Sequence, residues 1–269
     1  TNVLIKALIY ASFFYACTNF FIEKKRKALV FSLVLIVDIS ILFSSRIEIL
    51  VVFICFISVM ILSSHKIKPL RILIFTISGF ISIVLFSTMR SGGSLTFYEI
   101  IIRYLLEYHT LGFTMFSKQL MDPSSALNNG LTWGFTTVSI LDYIPEQLSR
   151  FFSYEYVSTA RESRFFMAQP IQVSQDREAN AFYTSFYLFY KDFSVFGVIL
   201  FPSLYGYFFC KNYLGWIKNK SKYNLTMIAF FVYTGYTAIF YPPQVTEFYW
   251  FVLITIHVLY NVNFRLNFK

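Results

Sequence analysis

The chain has 269 residues, of which 57% are hydrophobic and only 14% charged, with a net charge of +9. Soluble domains carry about 25% charged residues, so together with a mean hydropathy of +0.58 this composition excludes an ordinary soluble domain. In a soluble protein the basic excess would point to nucleic acid. Here it reflects membrane topology and anionic headgroups, and no nucleic-acid partner is expected.

Apolar runs cover about residues 3–22, 28–43, 47–62, 72–89, 181–209, 225–241 and 248–262. Some fall short of the roughly 20 residues that cross a bilayer as a helix. Backbone in hydrocarbon must satisfy its own hydrogen bonds. The expected fold is therefore all-α, a polytopic integral membrane helical bundle of about seven spans with a large helical outer loop. Residues 1–89 would hold about four spans, 90–180 the outer loop, and 181–269 about three more spans. The 34 Phe and 20 Tyr suit lipid-facing and interfacial positions. The first residue is Thr1, and residues 1–22 show neither a cationic leader nor a small-residue cleavage site. The chain is expected to be the C-terminal part of a longer protein that lacks some N-terminal helices.

Orientation follows from Lys and Arg in the short connections. Lys24, Lys25, Arg26 and Lys27 follow the first run, and Lys66, Lys68 and Arg71 the third. Lys211, Lys218, Lys220 and Lys222 follow the fifth, and Arg265 and Lys269 end the chain. If the spans alternate, all four clusters fall on one side, taken as cytoplasmic. Residues 90–180 then lie outside, in a bacterium the face without ATP.

The outer loop has structure of its own. Residues 97–120 are helical in pattern, with Ile100, Ile101, Tyr104, Leu105, Tyr108 and Leu111 on one stripe and Arg103 four residues before Glu107. A turn at 121–125 is followed by a short helix over about 133–141 that ends near Pro145. Residues 160–180 read as polar and irregular. The loop is expected to lie over the membrane face and roof a cavity between spans. Cys17, Cys55 and Cys210 all sit in apolar runs with no ligand spacing, and read as small buried hydrophobes.

Nucleotide-loop, zinc-protease, nucleophile-elbow and paired-cysteine signatures are absent. This argues against ATP-driven transport and zinc hydrolysis, and no metal or cofactor is expected. Arginine remains, whose planar fork binds phosphate bidentately. Arg46 and Arg90 end apolar runs on the outer side, where each is either a pyrophosphate ligand or an anchor snorkelling to headgroups. Arg161 and Arg164 would share a helix face, and the alternative is a solvated charged loop. Arg177 sits between acids, so a structural ion pair competes with a binding role. Acid–base candidates are His109, Glu107, Asp142, Asp176 and Glu178, with packing the competing role for His109. Lys191 and Asp192 interrupt the fifth apolar run. They are either functional charges within the membrane or the mark of its outer end. Lys6 and Asp38 are the other charges within apolar runs.

From Asn180 through Tyr183-Thr184 and an aromatic run to Lys191-Asp192-Phe193-Ser194 and Gly197, the chain resembles the Wzy-type O-antigen and capsule repeat-unit polymerases. These commonly show Asn, Tyr-Thr, aromatics, Asp-Phe-Gly and a further Gly before a membrane helix. Ser194 stands here for the first Gly. Ser44-Ser45-Arg46, the segment from Gly130-Leu131-Thr132-Trp133-Gly134 to Tyr143-Ile144-Pro145, and the long outer loop are similar to that family too.

The resemblance implies a metal-independent integral-membrane glycosyltransferase of the bacterial inner membrane. It would polymerise undecaprenyl-pyrophosphate-linked oligosaccharide repeat units into O-antigen or capsular polysaccharide. By position, Arg46, Arg90 and Arg161 or Arg164 would hold the pyrophosphate, and Arg177 with Asn180 and Tyr183 would border the same cavity; His109, Glu107 and Asp176, named above, stand as the candidate catalysts. The implied partners are lipid-linked oligosaccharides, membrane lipids and a chain-length regulator protein. The alternatives are an O-antigen ligase using the same donor, a lipid-linked oligosaccharide flippase or other transporter, and a membrane scaffold for partner enzymes. A flippase would place its charges along a central cavity, whereas this chain concentrates them in one outer loop.

Overall fold

The computed structural model describes residues 3–43, 47–63, 108–174, 177–180, 183–239 and 243–261, and scattered residues between 70 and 102. In chain order the elements are helices α1 (Val3–Glu23), α2 (Arg26–Phe43), α3 (Ile47–Ser63), α4 (Tyr108–Met121), α5 (Ile140–Phe152) and α6 (Thr159–Ala168). Strands β1 (Pro170–Ser174) and β2 (Arg177–Asn180) follow, then helices α7 (Ser185–Asn219), α8 (Lys222–Thr237) and α9 (Glu247–Asn261). The helical class expected from the sequence holds, with one antiparallel strand pair added. That pair and α6 occupy the stretch that reads in sequence as irregular. Polar residues hid both, because neither element carries a clean apolar period.

The chain divides into two compact units. The first comprises residues 1–101, 207–234 and 251–269; the second comprises 102–206 and 235–250.

In the first unit, α1, α2 and α3 pack on one another. Helix α1 buries Ala7, Ala11, Ala16 and Cys17. Such small residues let helices approach closely where apolar surroundings supply no hydrophobic drive. Rings fill the remaining space: Phe14 meets Phe230 edge-on at 5.9 Å, and Tyr15 meets Tyr260 at 5.1 Å. Thr226 Oγ1 donates to Thr18 Oγ1 at 2.8 Å, tying α8 to α1.

Two helix ends close in the same way. Lys24 and Lys220 take left-handed φ of 62° and 50°, and their N–H groups donate to Phe20 and Trp216 carbonyls at 3.0 and 2.9 Å. Lys222 pairs with Glu23, which brings these two basic turns together. Trp216 Nε1 donates to the carbonyl of Leu62 at 3.2 Å, placing the end of α3 beside them. Tyr223, at the start of α8, packs its ring edge-on to His257 and Tyr260 near the end of α9. The α1–α2 and α7–α8 connections, the end of α3 and the end of α9 therefore gather at one end of this unit.

In the second unit the core is Met115, Leu127, Met167, Tyr183, Tyr187, Leu188, Phe189 and Val245. Phe166 of α6 stacks on Tyr183 and Tyr187 at 5.9 and 6.0 Å. The turn after α4 is set by Asp122, whose Oδ1 accepts from Ser124 N–H at 2.9 Å and Ser124 Oγ at 2.7 Å. These bonds favour the charged carboxylate and pull its pKa below the usual value.

The expected helix over 133–141 is replaced by turns. Trp133 and Gly134 have φ of 53° and 94°, values no α-helix tolerates. The helix starts later, at Ile140, and runs through Pro145 to Phe152 instead of ending there. The polar anchors described below hold it on both sides of that proline.

Among the described residues, α1 and α7 are long and apolar enough to cross a membrane, and a shorter apolar helix covers Val51–Ser63. Half of the run at 72–89 lies outside the described residues. Of the three cysteines, Cys17 and Cys55 are buried as expected, but Cys210 is exposed. Asp38 lies on an exposed face of α2.

Candidate functional site

Helix α7 breaks at Phe193 (φ −140°, ψ 21°) and Ser194 (φ 55°, ψ −145°). A break of this kind interrupts the i to i+4 ladder and frees the preceding carbonyls. The segment 130–137 takes them. Thr132 N–H and Oγ1 donate to the Lys191 carbonyl at 3.1 and 3.2 Å, and Trp133 N–H donates to the Asp192 carbonyl at 3.3 Å.

The two charged side chains at the break grip the same segment. Asp192 is fully buried. Its Oδ1 accepts from Thr132 Oγ1 at 2.6 Å and Thr136 N–H at 3.2 Å, and its Oδ2 accepts from Thr137 N–H at 2.7 Å. Lys191 Nζ donates to the carbonyls of Gly130, at 2.9 Å, and of Ala126. A buried carboxylate is tolerable only with such donors. Both charges are thus committed to holding the 126–137 segment on α7. Sequence reading flagged Lys191 and Asp192 but missed Thr132, Thr136 and Thr137. The available signal was a Thr-Trp-Gly turn too polar for the helix assigned to it.

A second polar layer joins α5 to α6. Asp142 is fully buried. Its Oδ2 accepts from Ser158 Oγ at 2.6 Å and Ala160 N–H at 2.7 Å, and its Oδ1 accepts from Tyr156 OH. Asp142 is therefore an anchor at the start of α6, not the acid–base group its charge suggested. Burial, and then the hydrogen bond to Asp142, push the Tyr156 hydroxyl up to about 12. Ser158 caps α6 by accepting from Arg161 N–H at 3.2 Å.

One turn along α5, Glu146 is buried and receives two arginines. Arg150 approaches at 2.8 Å, and Arg161 shares the same carboxylate oxygen. The two guanidinium side chains are 58% and 56% exposed. Two cations on one carboxylate leave a surplus positive charge at the surface, and each guanidinium has five donors. Arg164 differs. It makes a two-pronged pair with Glu247, at 2.7 and 3.1 Å, and its side chain is 29% exposed.

The sequence thus identified Arg161 and Arg164 as neighbours on a helix, which they are. It did not anticipate that they serve separate carboxylates. The charged-loop reading gives way to a packed, ion-paired helix. Tyr183 stands in the core, fully buried between Phe166 and Tyr187, rather than beside a binding surface. His109 opens α4, and Arg177 and Asn180 lie on β2 opposite Ser174 and Pro170, but the side chains of these three lie outside the described residues, as does Glu178. Arg46, Arg90, Glu107 and Asp176 lie outside the described residues altogether.

An apolar cleft of about 210 Å³ in the second unit is lined mainly by Phe113, Phe186, Phe189, Pro202, Tyr205 and Ile239, with Ser185 and Gln244. Its polar groups satisfy one another. Ser185 Oγ donates to Gln244 Oε1 at 3.1 Å, and Ser139 Oγ and Trp250 Nε1 donate to the Gln244 carbonyl at 2.9 and 3.1 Å. Among the described residues, no group of three His, Cys, Asp or Glu converges on a metal-sized site. Comparison with known proteins gives no match to a family model, a curated protein or a solved structure.

Proposed function

We propose that the chain is a multi-pass glycosyltransferase of the bacterial inner membrane that polymerises lipid-pyrophosphate-linked oligosaccharide units on the outer face. One observation carries this reading. The two segments that resemble the repeat-unit polymerases, around Gly130–Gly134 and Lys191–Gly197, are far apart in sequence yet interlock at the α7 break. Two membrane-length helices support the location, as do exposed Val30, Phe31, Val34 and Val37 on α2.

On this reading an acceptor sugar hydroxyl attacks the anomeric carbon of the donor glycan. The bond from that carbon to the pyrophosphate oxygen breaks, and the lipid pyrophosphate leaves with the electron pair. The hydroxyl proton passes to a base, for which His109, Glu107 and Asp176 are the candidates. Arg150 and Arg161 have the surplus charge to meet the leaving pyrophosphate, together with Arg46, Arg90 and Arg177. The apolar cleft suits an isoprenoid segment of the lipid tail. The donor arrives activated, so no nucleotide is needed, and catalysis rests on positioning two tethered substrates.

Deleting the gene and running surface polysaccharide on a gel tests the assignment. A polymerase loss leaves a single repeat unit on the lipid acceptor. Complete loss of attached glycan would point to a ligase instead, and an unchanged ladder would overturn both.

A further inference from the structure

Helix α5 is amphipathic in the reverse sense from a helix that covers a core. Its inward side carries Asp142, Glu146 and Ser149, all buried. Its outward side carries Leu141, Ile144, Leu148, Phe151 and Phe152, with exposures of 49%, 55%, 46%, 81% and 66%. At 3.6 residues per turn these five fall on one stripe about 100° wide. An ordinary surface helix turns such a stripe toward the core. Here the polar anchors to α6 hold it outward. A contiguous apolar face of this kind marks a contact with a membrane or a partner.

Three observations choose between them. Arg150 in the last turn of α5 and Arg161 beside it leave one net positive charge at the edge of the stripe, which complements anionic headgroups. Exposed Trp133 lies edge-on to Phe193 at 6.0 Å, at the break in the membrane-length helix α7, and tryptophan favours the bilayer interface. Just past that break, Val195, Phe196 and Ile199 are exposed on α7, as a lipid-facing surface requires.

We propose that α5 is an in-plane membrane helix. Its Leu141–Ile144–Leu148–Phe151–Phe152 face is sunk among acyl chains at the bilayer surface, and Arg150 and Arg161 lie at anionic headgroups. This requires that the protein resides in a membrane, but not that it transfers a sugar, so it stands or falls separately from the reaction.

Spin labels on the full chain in phosphatidylcholine–phosphatidylglycerol vesicles test it. Cys210→Ser removes the exposed thiol and leaves only the buried Cys17 and Cys55. Labels are then placed singly by Leu148→Cys, Phe151→Cys and, as a polar control on α6, Glu162→Cys. All three sites are exposed in the fold, so the labels leave the packing intact. Labels at 148 and 151 should collide with oxygen several-fold more often than with a water-soluble nickel chelate, and the label at 162 should show the reverse. Nickel-accessible labels at 148 and 151 would overturn the proposal. So would labels there that are immobilised and shielded from both reagents, because protein would then cover the face.

Discussion

Glu146 and Glu247 divide the arginines of α6 into two kinds. Among the described residues Arg164 alone neutralises the Glu247 carboxylate, which is 7% exposed, so Arg164→Ala strands a buried charge and should cost about 3 kcal/mol of stability. Arg161→Ala leaves Glu146 with Arg150 and should cost only about 0.5 kcal/mol. If Arg161 meets the pyrophosphate, the second variant accumulates normally yet loses polymer, and Arg161→Lys restores little because a point charge lacks the fork. Thermal unfolding in detergent beside a polysaccharide gel separates the two effects. Wild-type polymer from Arg161→Ala would remove it from the site. Tyr156 gives a pH signature. Its hydroxyl titrates near 12 in the fold, against 10.0 ordinarily, so the folded state holds this proton more tightly. The stability it confers is complete below pH 10 and is lost as pH rises from 10 toward 12. Wild type should therefore lose its Tm advantage over Tyr156→Phe across that window, and an advantage constant to pH 12 would refute the linkage.

At the scale of elements, the break in α7 concentrates strain. Ser194 takes a positive φ with ψ of −145°, a region that glycine alone enters freely. Ser194→Gly should stabilise the protein by about 1 kcal/mol, read as a rise in Tm, whereas a fall would mean the serine hydroxyl matters more than the backbone. Gly197 is needed for the opposite reason. A Cβ there would run into the Phe189 carbonyl, so Gly197→Ala should prevent folding of the second unit, seen as loss of detergent-soluble protein. The sequence disclosed the break only as an interrupted apolar run at Lys191 and Asp192. What it could not disclose was the partner. The threonines that satisfy Asp192 lie 55 to 60 positions earlier, in a stretch whose Trp133 adopts a backbone shape that composition does not signal. Helix α5 was half legible. The helix read over 133–141 overlaps α5 only at Ile140 and Leu141; Pro145 suggested a false end, and the helical spacing of Leu141, Ile144 and Leu148 across it went unread. The carboxylates that decide the roles of Arg161 and Arg164 were equally hidden, because Glu247 is 83 positions from Arg164.

For the whole molecule, the helical class was legible from the long apolar runs, and among the described residues two helices are long and apolar enough to cross a membrane. Lys222 on Glu23 and Trp216 on Leu62 put the α1–α2 and α7–α8 connections and the end of α3 at one end of the first unit. On the proposed topology that end is cytoplasmic and residues 90–180 are outside. Alkaline phosphatase fused after Ser125 should be active and the same enzyme fused after Asn219 inactive. The reverse result would invert the orientation and remove the proposed function with it.

The grip on Asp192 also sets an order of assembly. On the proposed topology, the segment that supplies Thr132, Thr136 and Thr137 emerges from the ribosome and crosses the membrane before α7 is made. It must wait outside without its partner carboxylate, and α7 must arrive with Lys191 and Asp192 still hydrated at the outer surface. Only when α7 has left the insertion machinery can the waiting segment close over it. On that topology, maturation of the outer face would be a late, post-insertion event, timed by the synthesis of a single helix.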